Sequence, residues 1–104
     1  MLSIHLKNAQ NKGIGYITYE EEVILAKLYD KTEIKFIKKL WENYYNNPVF
    51  YLEELEIAYE ELFSLSLEMT QKATASSEIN FVYKIITIIS YAVYHKENLQ
   101  CLSD

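Results

Sequence analysis

The stretch Pro48–Lys72, PVFYLEELEIAYEELFSLSLEMTQK, decides the reading of the fold. Its apolar residues recur at i, i+3, i+4 and i+7, the period of a helix with one buried face. Tyr51, Leu55, Ala58, Tyr59, Leu62, Leu65 and Met69 make that face. The opposite arc is acidic. Glu53, Glu56 and Glu60 form one row and Glu54, Glu61 and Glu68 another, with Ile57 and Leu67 between the rows and Phe63 at their edge. Asn47-Pro48 supplies a start signal: asparagine suits an N-cap, and proline suits the first helical position, where an N–H is not needed. The spacing predicts a helix over 48–72.

The pattern extends in both directions. Upstream, Ile34, Phe36, Ile37, Leu40, Trp41, Tyr44 and Tyr45 share one half of a second amphipathic helix. Lys35, Lys38, Lys39, Glu42, Asn43 and Asn46 share the other half. Asp30 with Glu33 reads as its N-cap, which gives a helix over 31–46. Thr18 with Glu21 is a capping box, and Glu20 to Glu22 suit the positive end of a helix dipole. This predicts a helix over 19–29. Downstream, Ala73 to Ser77 is a loop of small residues. Phe81, Val82, Ile85, Ile86, Ile88, Ile89, Ala92 and Val93 then fill one half of a helix over 78–96. Its β-branched residues favour strand locally, but the run is too long for a strand. It is expected to be the spine of the core, with Leu55, Leu62, Ile85, Ile86, Ile89 and Trp41 buried.

Residues 1–17 are open to two readings. Leu2, Ile4 and Leu6 alternate like a strand, while Leu2–Gln10 also suits a short helix, and Gly13 and Gly15 break any regular element. The expected architecture is all-α. It is an antiparallel bundle of about four helices (19–29, 31–46, 48–72, 78–96) with a short N-terminal element of either type, in a single helical domain, 1–104.

Composition agrees with a packed core. Of 104 residues, 50% are apolar and 14% aromatic, which excludes a disordered chain. Two glycines and one proline are too few for the many tight turns of a sandwich or barrel. The single cysteine, Cys101, forms no internal disulfide and sits in an expected frayed tail. No charged segment followed by an apolar run opens the chain, so no signal peptide is read. The most apolar run, Ile79–Tyr94, contains Lys84 and falls short of the roughly 20 residues a membrane span needs. A cytoplasmic location is expected.

Charge is unevenly placed. Seven lysines against five acids give residues 1–39 a charge of +2, and seven glutamates without a lysine give residues 40–71 a charge of −7. Residues 72–104 hold three of each sign, so the net −5 is local. The chain has ten lysines and no arginine, and therefore lacks the planar fork used for phosphate and guanine.

Catalytic motifs are not found. His5 and His95 lie at opposite ends, and His95-x-Glu97 is not followed by the Pro-Cys-x-x-Cys of zinc deaminases. There is no Glu-x-x-His pair and no glycine-rich phosphate loop. Cys101 has no evident base. Acid catalysis near neutral pH needs a carboxyl with a raised pKa, and a solvated arc is not expected to supply one. No metal, cofactor or catalytic residue is assigned, and an enzyme is not expected. The helices over 19–29 and 33–46 could form a helix-turn-helix with Lys35, Lys38 and Lys39 outermost. The turn Asp30-Lys31-Thr32 lacks glycine, however, and the net negative charge disfavours nucleic acid. The same lysines beside Trp41, Tyr44 and Tyr45 would suit a membrane surface, but docking on the chain's own core explains them equally well.

The acidic helix carries the functional expectation. Like charges at i, i+3 and i, i+4 repel without a compensating lysine, which a helix selected for stability alone would avoid. Apolar Ile57 lies among them, and tyrosines gather at the helix start. Glu53, Glu54, Glu56, Glu60, Glu61, Tyr44, Tyr45, Tyr51 and Ile57 are the candidate partner-binding residues. The expected partner is a basic protein. The concrete form is a bacterial immunity protein or antitoxin that covers the active site of a toxin, nuclease-type, with carboxylates in place of nucleic acid phosphates. The mode resembles that of the small acidic helical immunity proteins of nuclease colicins, in size, charge and a Tyr-Tyr followed by Pro near acids. The alternatives are a structural or regulatory helical adaptor or chaperone-like module, with homodimerisation through the last helix, and behind it a DNA-binding regulator. A plain solvated face is the competing account of the glutamates.

Overall fold

The computed structural model describes residues 1–8 and 10–103. Four helices and four strands follow in the order β1 (Leu2–Lys7), β2 (Gly13–Ile17), α1 (Tyr19–Lys31), α2 (Lys35–Glu42), β3 (Val49–Phe50), α3 (Leu52–Gln71), α4 (Ser76–Tyr94) and β4 (Asn98–Ser103). The fold is α+β, so the expected all-α bundle is corrected. The strands form one antiparallel sheet in the order β2-β1-β4-β3. The N-terminal segment takes the strand reading. The tail around Cys101 is not frayed: it is a central strand, paired along its length with β1 from Leu2↔Ser103 to Lys7↔Asn98.

Alternation explains both strands. Leu2, Ile4 and Leu6 are buried, as are Leu99 and Cys101, while Ser3, His5 and Gln100 between them stay partly exposed. One face of the sheet is therefore the floor of the core, and the helices pack onto it. Asn8 turns the chain between β1 and β2, its Oδ1 accepting from the backbone N–H of Gln10 and Asn11 at 3.0 and 2.9 Å. The two glycines lie inside β2 rather than ending a regular element. A Cβ at Gly15 would stand 2.7 Å from Cδ1 and 3.3 Å from Cγ1 of Ile88, so glycine lets β2 lie directly on α4.

The helix signals hold in part. The Thr18–Glu21 capping box forms, with both bonds present at 3.0 and 3.2 Å. α1 continues through Asp30 to Lys31, so Asp30 is not an N-cap. α2 starts at Lys35, from Ile34, without a side-chain cap. It ends at Glu42, and residues 43–46 are turn and bend rather than helix. Asn47-Pro48 does not start a helix. Asn47 takes a left-handed turn (φ 50°), and the Pro48 carbonyl accepts from the Cys101 N–H at 2.9 Å, which leads into β3. α3 starts four residues after Pro48, at Leu52. α3 and α4 are each followed, two residues past the last helical one, by a residue with positive φ, Ala73 and Lys96. The Thr74 N–H reaches back to the Met69 carbonyl and the Glu97 N–H to the Ala92 carbonyl, at 3.1 and 3.0 Å, satisfying carbonyls left over by each helix.

α3 and α4 pack along their length, and α4 supplies Phe81, Val82, Ile85, Ile88, Ile89 and Ala92 to the core. Leu55, Leu62, Ile85 and Ile89 are buried as expected, whereas Ile86 and Trp41 are only half-buried. Ile89→Ala should cost about 2–5 kcal/mol in chemical denaturation. No measurable change in the midpoint would remove α4 from the centre of the core. Gly15→Ala should cost about 1–3 kcal/mol by overpacking against Ile88. Ile88→Val deletes the clashing Cδ1, so the double variant should be less destabilised than the sum of the single changes. Strict additivity would show that β2 does not rest on Ile88.

Candidate functional site

The predicted acidic arc is real, and the fold divides it. Glu54 is taken up internally. One of its oxygens accepts from the Tyr51 N–H at 2.7 Å, capping the start of α3. Both accept from Lys39 Nζ, at 2.9 and 3.0 Å. Lys39 also donates to the Val49 carbonyl at 2.6 Å and lies over the Phe50 and Tyr51 rings. It ties α2, β3 and α3 together rather than standing on a solvated basic face. Lys38 is occupied too, donating to the Tyr29 carbonyl at 2.6 Å and lying over the Tyr29 ring.

Glu53, Glu56, Glu60 and Glu61 have no ion pair or hydrogen bond among the described residues. Glu53, Glu56 and Glu60 are exposed, and Ile57 beside them is 55% exposed. Glu53, Glu54, Ile57 and Glu61 line one side of a groove of about 210 Å³, with Lys35, Lys39 and the edges of Phe36 and Phe50 on the other. Tyr51 is exposed at the mouth of α3. Tyr44 is buried, its hydroxyl donating to Glu22 of α1 at 2.5 Å, so it belongs to the core and not to the exposed face. Burial is the main reason its phenol titrates well above the usual range, and the Glu22 carboxylate adds to this. Tyr45 is exposed, edge-on to Tyr44 at 5.3 Å. It belongs to the aromatic series Tyr29, Trp41, Tyr44 at the end of α2.

An apolar strip runs along the other flank of the acidic row. Tyr59 and Phe63 stack with centroids 6.4 Å apart and planes 10° apart, and both are exposed. Leu67, 53% exposed, continues the same i, i+4 row, and exposed Tyr83 of α4 meets it through a 3.4 Å contact with Thr70. Tyr59 was assigned by its period to the buried stripe, and Tyr83 was not singled out. The i, i+4 spacing of Tyr59, Phe63 and Leu67 was the available signal. Exposed apolar groups thus stand beside unpaired carboxylates on one face of α3.

Other chemical groups are less well placed. Ser3 Oγ and His5 Nε2 are 3.0 Å apart, and His5 Nδ1 is 3.2 Å from the Asn11 carbonyl. Ser3 lies on a central strand paired on both sides, with Tyr16 and Leu102. The N–H groups of that strand serve the two ladders, which leaves none to hold an oxyanion. Cys101 is buried, and burial pushes its thiol up to about 12, out of the nucleophilic range. Among the described residues no group of three His, Cys, Asp or Glu could hold a metal, and no helix is long and apolar enough to cross a membrane. No protein-family model, curated protein or solved structure matches this chain.

Two carboxylates titrate below their usual 4.5. Burial raises each, but Lys84 and Thr18 outweigh it at Glu21, and Tyr51 and Lys39 outweigh it at Glu54. A group whose pKa falls on folding contributes stability above its unfolded pKa and loses it as the pH drops through the folded one. Stability should therefore fall below about pH 5, and the Glu21→Gln/Glu54→Gln variant should show a shallower fall. Partial exposure and screening hold each contribution to about 1 kcal/mol or less. Denaturation midpoints at pH 3 to 7 check this, and an unchanged slope would count against both pairs.

Proposed function

We propose that the protein is a binding module that docks a basic protein on the outer face of α3. The observation that carries this reading is the unpaired row Glu53, Glu56 and Glu60, set between exposed Ile57 and the stacked Tyr59–Phe63 pair. The carboxylates steer a cationic surface toward the face, and the apolar groups supply the area that holds it. Tyr51 and Tyr45 are further anchors. Nearby lysines already have partners: Lys39 is held on Glu54 at 2.9 Å and Lys72 on Glu68 at 2.6 Å, the latter an exposed pair on α3 itself.

The most concrete form is an immunity protein or antitoxin acting in the cytoplasm, with the basic partner a toxin domain whose nucleic acid site the glutamates cover. It requires a dense carboxylate surface and no catalytic group of its own. A different partner with the same basic, partly apolar surface would use the same face.

The test has two parts. The tagged chain is recovered from its own cells with its partner, and the purified pair is then measured by surface resonance. Glu56→Lys/Glu60→Lys should slow association, and added salt should mimic it, because screening cuts the field to about 8 Å at physiological ionic strength. Phe63→Ala should instead speed dissociation, costing about 2 kcal/mol if that ring is an anchor. If the glutamate reversals leave association unchanged while Lys35→Glu abolishes binding, the working face is α2 and the reading fails.

A further inference from the structure

The two edges of the sheet are finished differently. The β3 edge is two residues long; its Val49 carbonyl is taken by Lys39 Nζ at 2.6 Å, and the Asn47 carbonyl just before the strand by Gln100 Nε2 at 2.7 Å. Pro48 beside it has no N–H to offer. The β2 edge is five residues long, without proline or charge, and no side chain among the described residues bonds to its backbone. Such an edge presents unpaired N–H and C=O groups whose complement is another extended backbone.

α4 makes a ledge beside that edge. Lys12, Gly13, Ile14, Thr87, Ile88 and Tyr91 enclose an open hollow of about 290 Å³. Gly13 puts no side chain into it. Its apolar base comes from Ile14 and Ile88. Lys12 stands at the rim, donating to the Tyr91 hydroxyl at 3.2 Å and lying 5.7 Å from the Tyr91 ring centre. It has no carboxylate partner among the described residues. The ledge thus offers backbone groups, an apolar hollow and one cation in a row.

We propose that the β2 edge and the α4 ledge bind the extended carboxyl-terminal end of a partner polypeptide as a fifth strand. Every pair in this sheet is antiparallel. An added antiparallel strand brings its carboxyl-terminal end beside the start of β2, at Lys12. A terminal residue carries an apolar side chain and a carboxylate together, which matches a hollow with a cation at its rim. An internal Asp or Glu would have to place its own side chain over Ile14 and Ile88. A second copy joined edge to edge would share only this short strand, well under the roughly 1,200 Å² of a stable interface. This surface is separate from the α3 face, and the proposal stands or falls independently of it.

The probe is a display library of random heptapeptides with free carboxyl termini, panned against the full chain. Peptides with an apolar last residue should enrich. A synthetic copy should weaken about tenfold or more when its terminus is amidated, and similarly against Lys12→Gln, as expected for loss of one charge-assisted contact. N-methylation at alternate backbone nitrogens should abolish binding. Amide NMR shifts should map to residues 13–17 and 87–91. Glu56→Lys/Glu60→Lys should bind the peptide like the parent chain, and an unchanged NMR dispersion shows that Lys12→Gln is folded. Failure to enrich, equal binding of the amide, or shifts confined to α3 would each overturn the proposal.

Discussion

The rest of the structure depends on the antiparallel pairing of β1 with β4. Six residues at one end of the chain meet six at the other, from Leu2↔Ser103 to Lys7↔Asn98. This ladder sets Leu2, Ile4 and Leu6 beside Leu99 and Cys101 and so makes the buried floor on which the helices rest. It is also the only link between the two halves of the sheet among the described residues, because β2 pairs with β1 and β3 with β4. The closure is long in sequence, but its entropic cost grows slowly with loop length and is offset by a fully buried face. The turn at Lys96, left-handed and bonded from Glu97 back to Ala92, sends the chain from α4 into the sheet as β4. Asn98 adds a second tie: its Oδ1 accepts from the Leu52 N–H at 2.8 Å, at the start of α3.

Packing also redistributes charge. The net −5 understates how polarised the surface is. Lys38, Lys39 and Lys84 are turned to carbonyls, carboxylates and ring faces within the fold. These bonds fix α1 to α4 and α2 to α3. They also leave Glu53, Glu56 and Glu60 without a counter-charge on the outer side of α3. Stabilising ion pairs and an uncompensated acidic face are two results of one arrangement. α4 connects the two proposed binding surfaces: Tyr83 joins the apolar strip of α3, and Thr87, Ile88 and Tyr91 form the ledge beside β2. Tyr83 and Thr87 stand outside the core of that helix, whereas Ile88 belongs to both the ledge and the core.

The sequence by itself determined the existence of the helices, the Thr18–Glu21 cap, the central place of Leu55, Leu62, Ile85 and Ile89, and the acidic arc around Ile57. These are local properties: a 3.6-residue period over three to five turns is a strong signal, and a cap is complete within four residues. Only the tertiary structure decided the fold class. Asn98–Ser103 alternates, but six residues of alternation are weak evidence, and the partner that makes them a strand lies at the other end of the chain. Asn47-Pro48 reads locally as a helix start, yet it leads into a strand, because the Pro48 carbonyl accepts from the Cys101 N–H. The same holds for the candidate site. Glu54 and Tyr44 share the composition of their exposed neighbours, and what separates them is contact with Lys39 and Glu22. Periodicity says which face of an element is polar. Which polar groups remain available to a partner is set by long-range bonds, and those exist only once the chain has closed.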